Sequence, residues 1–312
     1  MTEEVTEYYD TDEELENKVE QLASMIRNSS HLVVYTGAGI STSAKIPDFR
    51  GPKGVWTLQE KGEAPKMEIS MTQAIPTKTH MALVKLEHEG IMKYLVSQNV
   101  DGLHRRSGID PAKFSELHGN IYLEICEDCG TEYLRNFSVT EVSGTDVDTS
   151  KLSFRDMVHM TGRRCSDPNC KGILRDSIIN FGESLPVYAL KRAKEESQLS
   201  DLGLALGSSM RVQPAASLPE YCKQMVIVNL QKTPMDSQVT LRIFHRTDVV
   251  IEMLMKKLGL EIPEFQESLV PTSYKPSIPE ALQLRKPPPP TNNNIANSHI
   301  ESPEQKSSCT IL

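Results

Sequence analysis

The distribution of apolar residues along the chain separates two kinds of element. In "DEELENKVEQLASMIRN" (12–28) Leu15, Val19, Leu22, Ala23 and Ile26 recur at helical spacing. "PTKTHMALVKLEHEG" (76–90) reads as a second helix that stops at a glycine, and "VYALKRAKEESQ" (187–198) as a third. "TDVVIEMLMKKLGL" (247–260) closes the core as an amphipathic helix. Between these lie short continuous apolar runs: "LVVY" (32–35), "MKYLVSQN" ending near Gln98, "DLGLALG" (201–207) and "MVIVNL" (225–230). A strand buried on both faces has no reason to alternate, so such runs suit a parallel sheet covered by helices. The pattern predicts an α/β fold: a Rossmann-like open parallel sheet with helices on both faces. In such folds ligands sit at the C-terminal ends of the strands.

The 312 residues, 38% hydrophobic and 24% charged, are enough for a large core and two lobes. No apolar run reaches the roughly 18 residues that cross a bilayer. The acidic "MTEEVTEYYDTDEELE" has no apolar region of the secretory kind, so an intracellular location is expected. A net charge of −8 predicts no strong direct nucleic-acid binding and better suits a Lys-rich peptide. The expected organisation is a disordered acidic N-terminus (1–12) and a large domain from 13–120 and 176–262, in which 51–75 form a cofactor loop and linker. The polar, cysteine-bearing segment 121–175 reads as a small inserted lobe. A disordered tail rich in Pro, Asn and Ser follows (263–312).

Six cysteines in a reducing compartment point to metal or free thiols more than to disulfides. Cys126 and Cys129 form a C-x2-C pair, Cys165 and Cys170 a C-x4-C pair, and Gly130 and Pro168 supply tight turns. Four thiolates in two close pairs match one tetrahedral structural zinc in a zinc-ribbon lobe. A closed shell of four sulfurs leaves no open position, so this zinc holds the lobe together and does not catalyse.

The remaining candidate chemistry falls at strand ends. "LVVY" runs into Gly37-Ala38-Gly39, like a dinucleotide-binding turn, but Thr42 stands where a third small residue belongs and Pro47 ends any helix early. Asn99 and Asp101 of "SQNVDGLH" sit at alternate positions and can hold an amide or a ribose hydroxyl. His118 of "ELHGN" has the side chain best suited to general-base work, although a lone histidine is more often a packing residue. Gly207-Ser208-Ser209 can cap a helix or bind ribose and phosphate, and Asn229 carries the same ambiguity.

Taken in order, GAGIS, PDFR, QNVD, LHGN, the two cysteine pairs, NFGE, GSS and VNLQ strongly resemble the sirtuins, NAD-dependent protein deacylases. The resemblance covers about Leu32 to Pro263. "IPDFRGPKGVWTL", "LRDSIINFGE", "IVNLQKTPMD" and "LGLEIP" look most like the class IV, nuclear branch. It implies that NAD lies across the end of the sheet, its pyrophosphate against the amides of Ala38 to Ser41 at a helix start. Asp101 would hold the nicotinamide carboxamide, while Asn99, next to Gln98, orders the ribose and a water. Asp48, Phe49 and Arg50 of "PDFR", with Trp56, would cover the ribose side. Ser208, Ser209, Asn229 and Gln231 would hold the adenosine half.

The implied reaction consumes NAD as a co-substrate. The acyl-lysine carbonyl oxygen attacks the ribose carbon as nicotinamide leaves. His118 removes a ribose hydroxyl proton, that oxygen attacks the imidate, and water completes the release of free lysine and O-acyl-ADP-ribose. The implied substrates are acyl-lysine peptides such as histone tails, read by strand pairing near Phe181-Gly182-Glu183. One departure is His245, three places before Asp248, where the family often has glycine; the adenine contact is not carried over there. Mono-ADP-ribosyl transfer and a catalytically idle scaffold remain the competing readings. Outside the family pattern, Cys309-Thr310-Ile311-Leu312 forms a C-a-a-X ending that favours geranylgeranyl transfer. Only Lys306 stands upstream of it, so membrane association is expected only if Cys309 is prenylated.

Overall fold

The computed structural model describes residues 5–64, 71–140 and 159–275. The C-a-a-X ending, most of the expected tail and the centre of the inserted segment lie outside these residues.

Six parallel strands form the main sheet: β1 (Leu32–Thr36), β2 (Met92–Ser97), β3 (Phe114–Glu116), β8 (Leu202–Leu206), β9 (Met225–Val228) and β10 (Leu241–Ile243), in the order β10-β9-β8-β1-β2-β3. Leu32 and Val34 of β1 pack into one apolar cluster, Val33 and Tyr35 into another, which is why the run is continuously apolar. Helices α1 (Asp12–Asn28), α3 (Lys78–His88) and α6 (Thr247–Leu258) bury Leu22, Leu83 and Leu254 against the first face. Helix α5 (Val187–Leu199) and the 3-10 segment Ala215–Tyr221 bury Ala193 and Leu218 against the second. Helix α1 starts where the sequence signals it: Thr11 Oγ1 accepts the Glu14 amide, and Glu14 accepts the Thr11 amide. A cap of this kind contributes about 1 kcal/mol.

The chain leaves β1 toward β2 on one side and returns through β8 on the other. The connections that follow these paired strands therefore diverge past their C-terminal ends and open a crevice.

A second, antiparallel sheet has the order β11-β5-β4-β7-β6, from β4 (Leu123–Cys126), β5 (Glu132–Leu134), β6 (Met160–Arg164), β7 (Ile173–Asp176) and β11 (Ser273–Tyr274). Strand β11 lies within the first residues of the expected tail. Ser273 and Tyr274 pair with Tyr133 and Glu132, and Arg105 lies 6.0 Å from the Tyr274 ring, so the chain past Pro263 covers the edge of the small sheet.

Within the acidic N-terminus, Tyr8 and Asp10 bond to the large sheet. The Tyr8 amide donates to Leu230 O (2.9 Å) and the Asp10 amide to Phe244 O (2.9 Å), while Tyr8 stacks on Phe244 at 5.5 Å. Tyr8 and Asp10 are held because they satisfy main-chain groups left at the ends of β9 and β10. Within the expected linker, Val55–Glu60 forms a short helix, α2, that restarts after Pro52 and Gly54.

Candidate active site and metal centre

Three glycines interlock just past the C-terminal ends of β1 and β8. A Cβ on Gly37 would come within 2.8 Å of Gly207 O, and one on Gly39 within 2.8 Å of Gly207 Cα. Gly207 itself has φ +60° and would meet Ile40 N at 2.6 Å. The backbones touch here, and only hydrogen atoms fit between them. The turn after β1 differs from the expected helix start. It is two 3-10 turns, Ala38–Ile40 and Thr42–Ala44, and its amides are largely taken: Gly39 N donates to Gly207 O, Ile40 N to Gly37 O and Ser41 N to Ala38 O. The cradle therefore offers a close glycine surface more than a fan of free N–H groups.

Gly37, Ala38, Gly39, Asp48, Phe49, Arg50, Trp56, Gln98, Asn99, His118, Gly207, Ser208, Ser209, Asn229 and Gln231 all line one cleft, which encloses about 1320 Å³ including its open mouth. Ser41 and Asp101 lie behind this wall. The Asp101 carboxylate accepts Ser41 Oγ (2.7 Å) and the Leu103 amide (2.9 Å) and is only 5% exposed. Burial raises its pKa, and the two hydrogen bonds oppose that rise. Asp101 thus braces the turn that carries Asn99 and does not face the cleft in this structure. Asn99 Nδ2 reaches back to Gly37 O (3.2 Å), tying the end of β2 to the glycine turn.

His118 follows β3 in a half-buried position. Its Nδ1 lies 3.0 Å from Gln98 O, and a carbonyl only accepts, so Nδ1 carries the proton. In the neutral ring Nε2 is then the basic nitrogen. Burial lowers the His118 pKa and the Gln98 contact opposes this, so the ring is neutral near pH 7.

The aromatic side of the cleft is a stack. Phe49 lies 4.8 Å from Trp56, Trp56 lies 6.0 Å from Phe181, and the Arg50 guanidinium sits 4.2 Å over the Trp56 ring. Asp48 folds this loop by accepting the Gly51 amide (2.8 Å); side chains at Gly51 or Gly54 would collide with its carboxylate. Gln231 Nε2 donates to Arg50 O (3.1 Å), joining the loop to the end of β9. The Asn180–Glu183 segment is a turn, closed by Glu183 N on Asn180 O (3.0 Å), where an exposed strand edge was expected. Gly182 at φ +87° takes it out of extended geometry.

His245 and Asp248 lie away from the cleft. Asp248 clamps Thr79 N (2.9 Å) and Ser43 Oγ (2.6 Å) at the start of α6, and His245 stacks edge-on against Tyr9. Val212 and Gln213, which the motifs do not flag, also line the cleft. Their segment follows Met210, a non-glycine residue at φ +53°, a backbone feature that periodicity cannot reveal.

In the small lobe the sulfurs of Cys126, Cys129, Cys165 and Cys170 all lie within 4.8 Å of one another. Cys126–Cys170 and Cys129–Cys165 are separated by 3.6 and 3.7 Å. Tetrahedral zinc with bonds of about 2.3 Å sets its sulfurs about 3.8 Å apart, whereas a disulfide needs about 2.05 Å. The thiols fit one zinc ion. Tyr133 OH touches Cys165 Sγ (3.1 Å) and the Gly172 amide donates to Cys170 Sγ (3.5 Å), the supporting contacts a thiolate site uses.

A profile of the Sir2 family matches residues 63–214. The NAD-dependent protein deacetylase Sirt6 of Drosophila melanogaster is 43% identical over 270 residues, covering 85% of this chain and 83% of that protein. The chain belongs to the Sir2 family. Among its relatives, the NAD-dependent protein deacetylase SRT1 of Arabidopsis thaliana is 44% identical over 266 residues, covering 84% of this chain and 53% of that protein. The chain spans about half the length of the first curated relatives it matches. Solved Sir2 structures share the fold. A Sir2–p53 peptide–NAD+ complex superposes with TM-score 0.57 at 32% identity, covering 78% of this chain and 99% of that one. Sir2Tm bound to a propionylated peptide gives the same TM-score and identity, covering 78% and 100%.

Proposed function

We propose that this member of the Sir2 family is an NAD-dependent protein-lysine deacylase, releasing nicotinamide and O-acyl-ADP-ribose. The observation that carries the reading is His118: a neutral ring, held in one tautomer by Gln98 O, on the wall of a glycine-floored cleft. NAD supplies the electrophilic ribose carbon. The chain's residues do the rest. Gly37, Gly39 and Gly207 let the pyrophosphate approach the backbone, and Ser208, Ser209, Asn229 and Gln231 hold the adenosine half. Phe49, Arg50 and Trp56 exclude water from the ribose. His118 Nε2 takes the ribose hydroxyl proton. Asn99 orders the ribose, and Asp101 acts through Ser41 and the 101–103 turn.

In this reading zinc on Cys126, Cys129, Cys165 and Cys170 is structural, and the small lobe (121–175) and large domain (13–120 and 176–262) meet at the peptide site. Histone tails are the proposed substrates and the nucleus the proposed location, on the resemblance of "IPDFRGPKGVWTL" and "LRDSIINFGE" to the nuclear branch of the family.

Incubating the protein with NAD and an acetyl-lysine peptide tests the function. Deacetylation with O-acetyl-ADP-ribose is expected, and His118→Tyr abolishes it. ADP-ribosylated protein without deacetylation favours mono-ADP-ribosyl transfer. No NAD consumption across several acyl lengths contradicts both.

A further inference from the structure

Behind the turn Asn180–Glu183, His159 sits between two carboxylates. Its Nδ1 lies 3.0 Å from Asp176 Oδ1, and its Nε2 lies 3.0 and 3.2 Å from the two Glu183 oxygens. The ring is 5% exposed. Ionised carboxylates only accept, so both contacts are hydrogen bonds only when both ring nitrogens carry protons. The geometry is that of an imidazolium bridging two anions.

Each anion also holds main chain. Asp176, the last residue of β7, accepts the Ile178 amide (2.9 Å), and Glu183 accepts the Asn180 amide (2.8 Å). One residue on, the Ile179 amide donates to His118 O (3.1 Å), and Phe181, 69% exposed, reaches Trp56 across the cleft. The bridge therefore fastens the peptide side of the cleft to the end of the small sheet. It makes no contact with the glycine floor.

We propose that His159 is a positioning residue for the acyl-lysine peptide: as an imidazolium it locks the Asn180–Glu183 turn against Asp176, and losing that charge weakens peptide binding while leaving NAD binding intact. This rests on the deacylase reading above. Asp176 and Glu183 are the charged groups that meet the ring among the described residues. The hydrogen bond to Asp176 raises the His159 pKa, burial opposes it, and Glu183 adds to the rise. A raised folded-state value means that the lock is fully present below the ordinary histidine value near 6.5 and is lost as pH climbs through the raised value. Burial shifts His118 the other way, so its titration lies at lower pH than that of His159.

The test is steady-state kinetics of wild type and His159→Gln between about pH 6.5 and 9. Glutamine can keep one hydrogen bond but carries no charge. We expect the peptide KM of His159→Gln to rise about tenfold at the acidic end, from losing a charge-assisted hydrogen bond. The NAD KM and kcat should stay within about twofold. In wild type the peptide KM climbs with pH; in the variant it is flat. Glu183→Gln, which keeps the shape, raises peptide KM in the same sense and moves the wild-type climb to lower pH, and it serves if His159→Gln does not fold. Parallel changes in NAD KM and kcat, or identical pH profiles, overturn the proposal. A wild type that deacylates no peptide overturns the deacylase reading instead, and the proposal with it.

Discussion

Strands β1 and β8 are buried at every residue, and the cluster around them takes leucines, isoleucines and valines from five strands and three helices, and Phe114 from the sixth strand. Among the described residues of the small lobe the apolar cluster is Cys126, Tyr133 and Leu174, with three more cysteines packed on it. Its central carboxylate, Glu124, is fully buried and spends both oxygens on Arg135 (2.6 Å) and Arg163 (2.5 Å). Apolar burial at about 25 cal/mol per Å² can sustain the first region. Buried ion pairs roughly offset their own desolvation and cannot sustain the second. The lesson is that the lobes depend on different forces: one folds on its core, the other on four thiols and a metal.

Removing the metal is the strongest way to break that comparison. Chelation should remove one zinc per chain and expose the amides of Leu123–Cys126 and Ile173–Asp176 to hydrogen exchange, while those of Leu32–Thr36 and Leu202–Leu206 stay protected. Deacylation should fall with it, because β7 leads directly into the peptide turn. If both sheets lose protection together, the contrast between the lobes is wrong.

The converse is Gly207→Ala. A methyl there meets Ile40 N at 2.6 Å in a left-handed backbone and should destabilise the large sheet by about 2–4 kcal/mol. Zinc content should remain one per chain. Urea unfolding with metal analysis reads both, and an unchanged midpoint would remove the glycine interlock from the account. The histidine kinetics at His159 sharpen the comparison further, with an effect of about tenfold at the seam between the two regions.

These differences also decide what the sequence discloses. The large sheet is legible because its strands are buried on both faces and read as unbroken apolar runs; β3 and β10, three residues each, are too short to register. In the small lobe the four cysteines announce themselves, but the strands do not, since in "ILRD" and "EYL" apolar Ile173 and Leu134 are half-buried while Asp176 is buried, so burial does not follow an apolar–polar alternation. Motif order delivers most of the cleft. It does not tell that Asp101 turns behind the wall to Ser41, because residues at alternate positions share a face only while the chain stays extended. Residues 98–100 lie past the end of β2 and outside any strand. The clamps formed by Asp248 and His159 are tertiary, joining residues far apart in the chain or on different turns. The fastening of Tyr8 to Leu230 is hidden in the sequence for the same reason: an acidic stretch with little apolar content gives no sign that strand ends await it.

The most direct test of the central claim compares two rates in His118→Ala: exchange of labelled nicotinamide into NAD with acetyl-lysine peptide present, and formation of O-acetyl-ADP-ribose. His118 is assigned to the step after nicotinamide leaves. Exchange should therefore remain within about tenfold of wild type, while product formation falls by about 10²–10⁴, the range a general base supplies. Product formation within about tenfold of wild type in a folded His118→Ala protein would contradict the account.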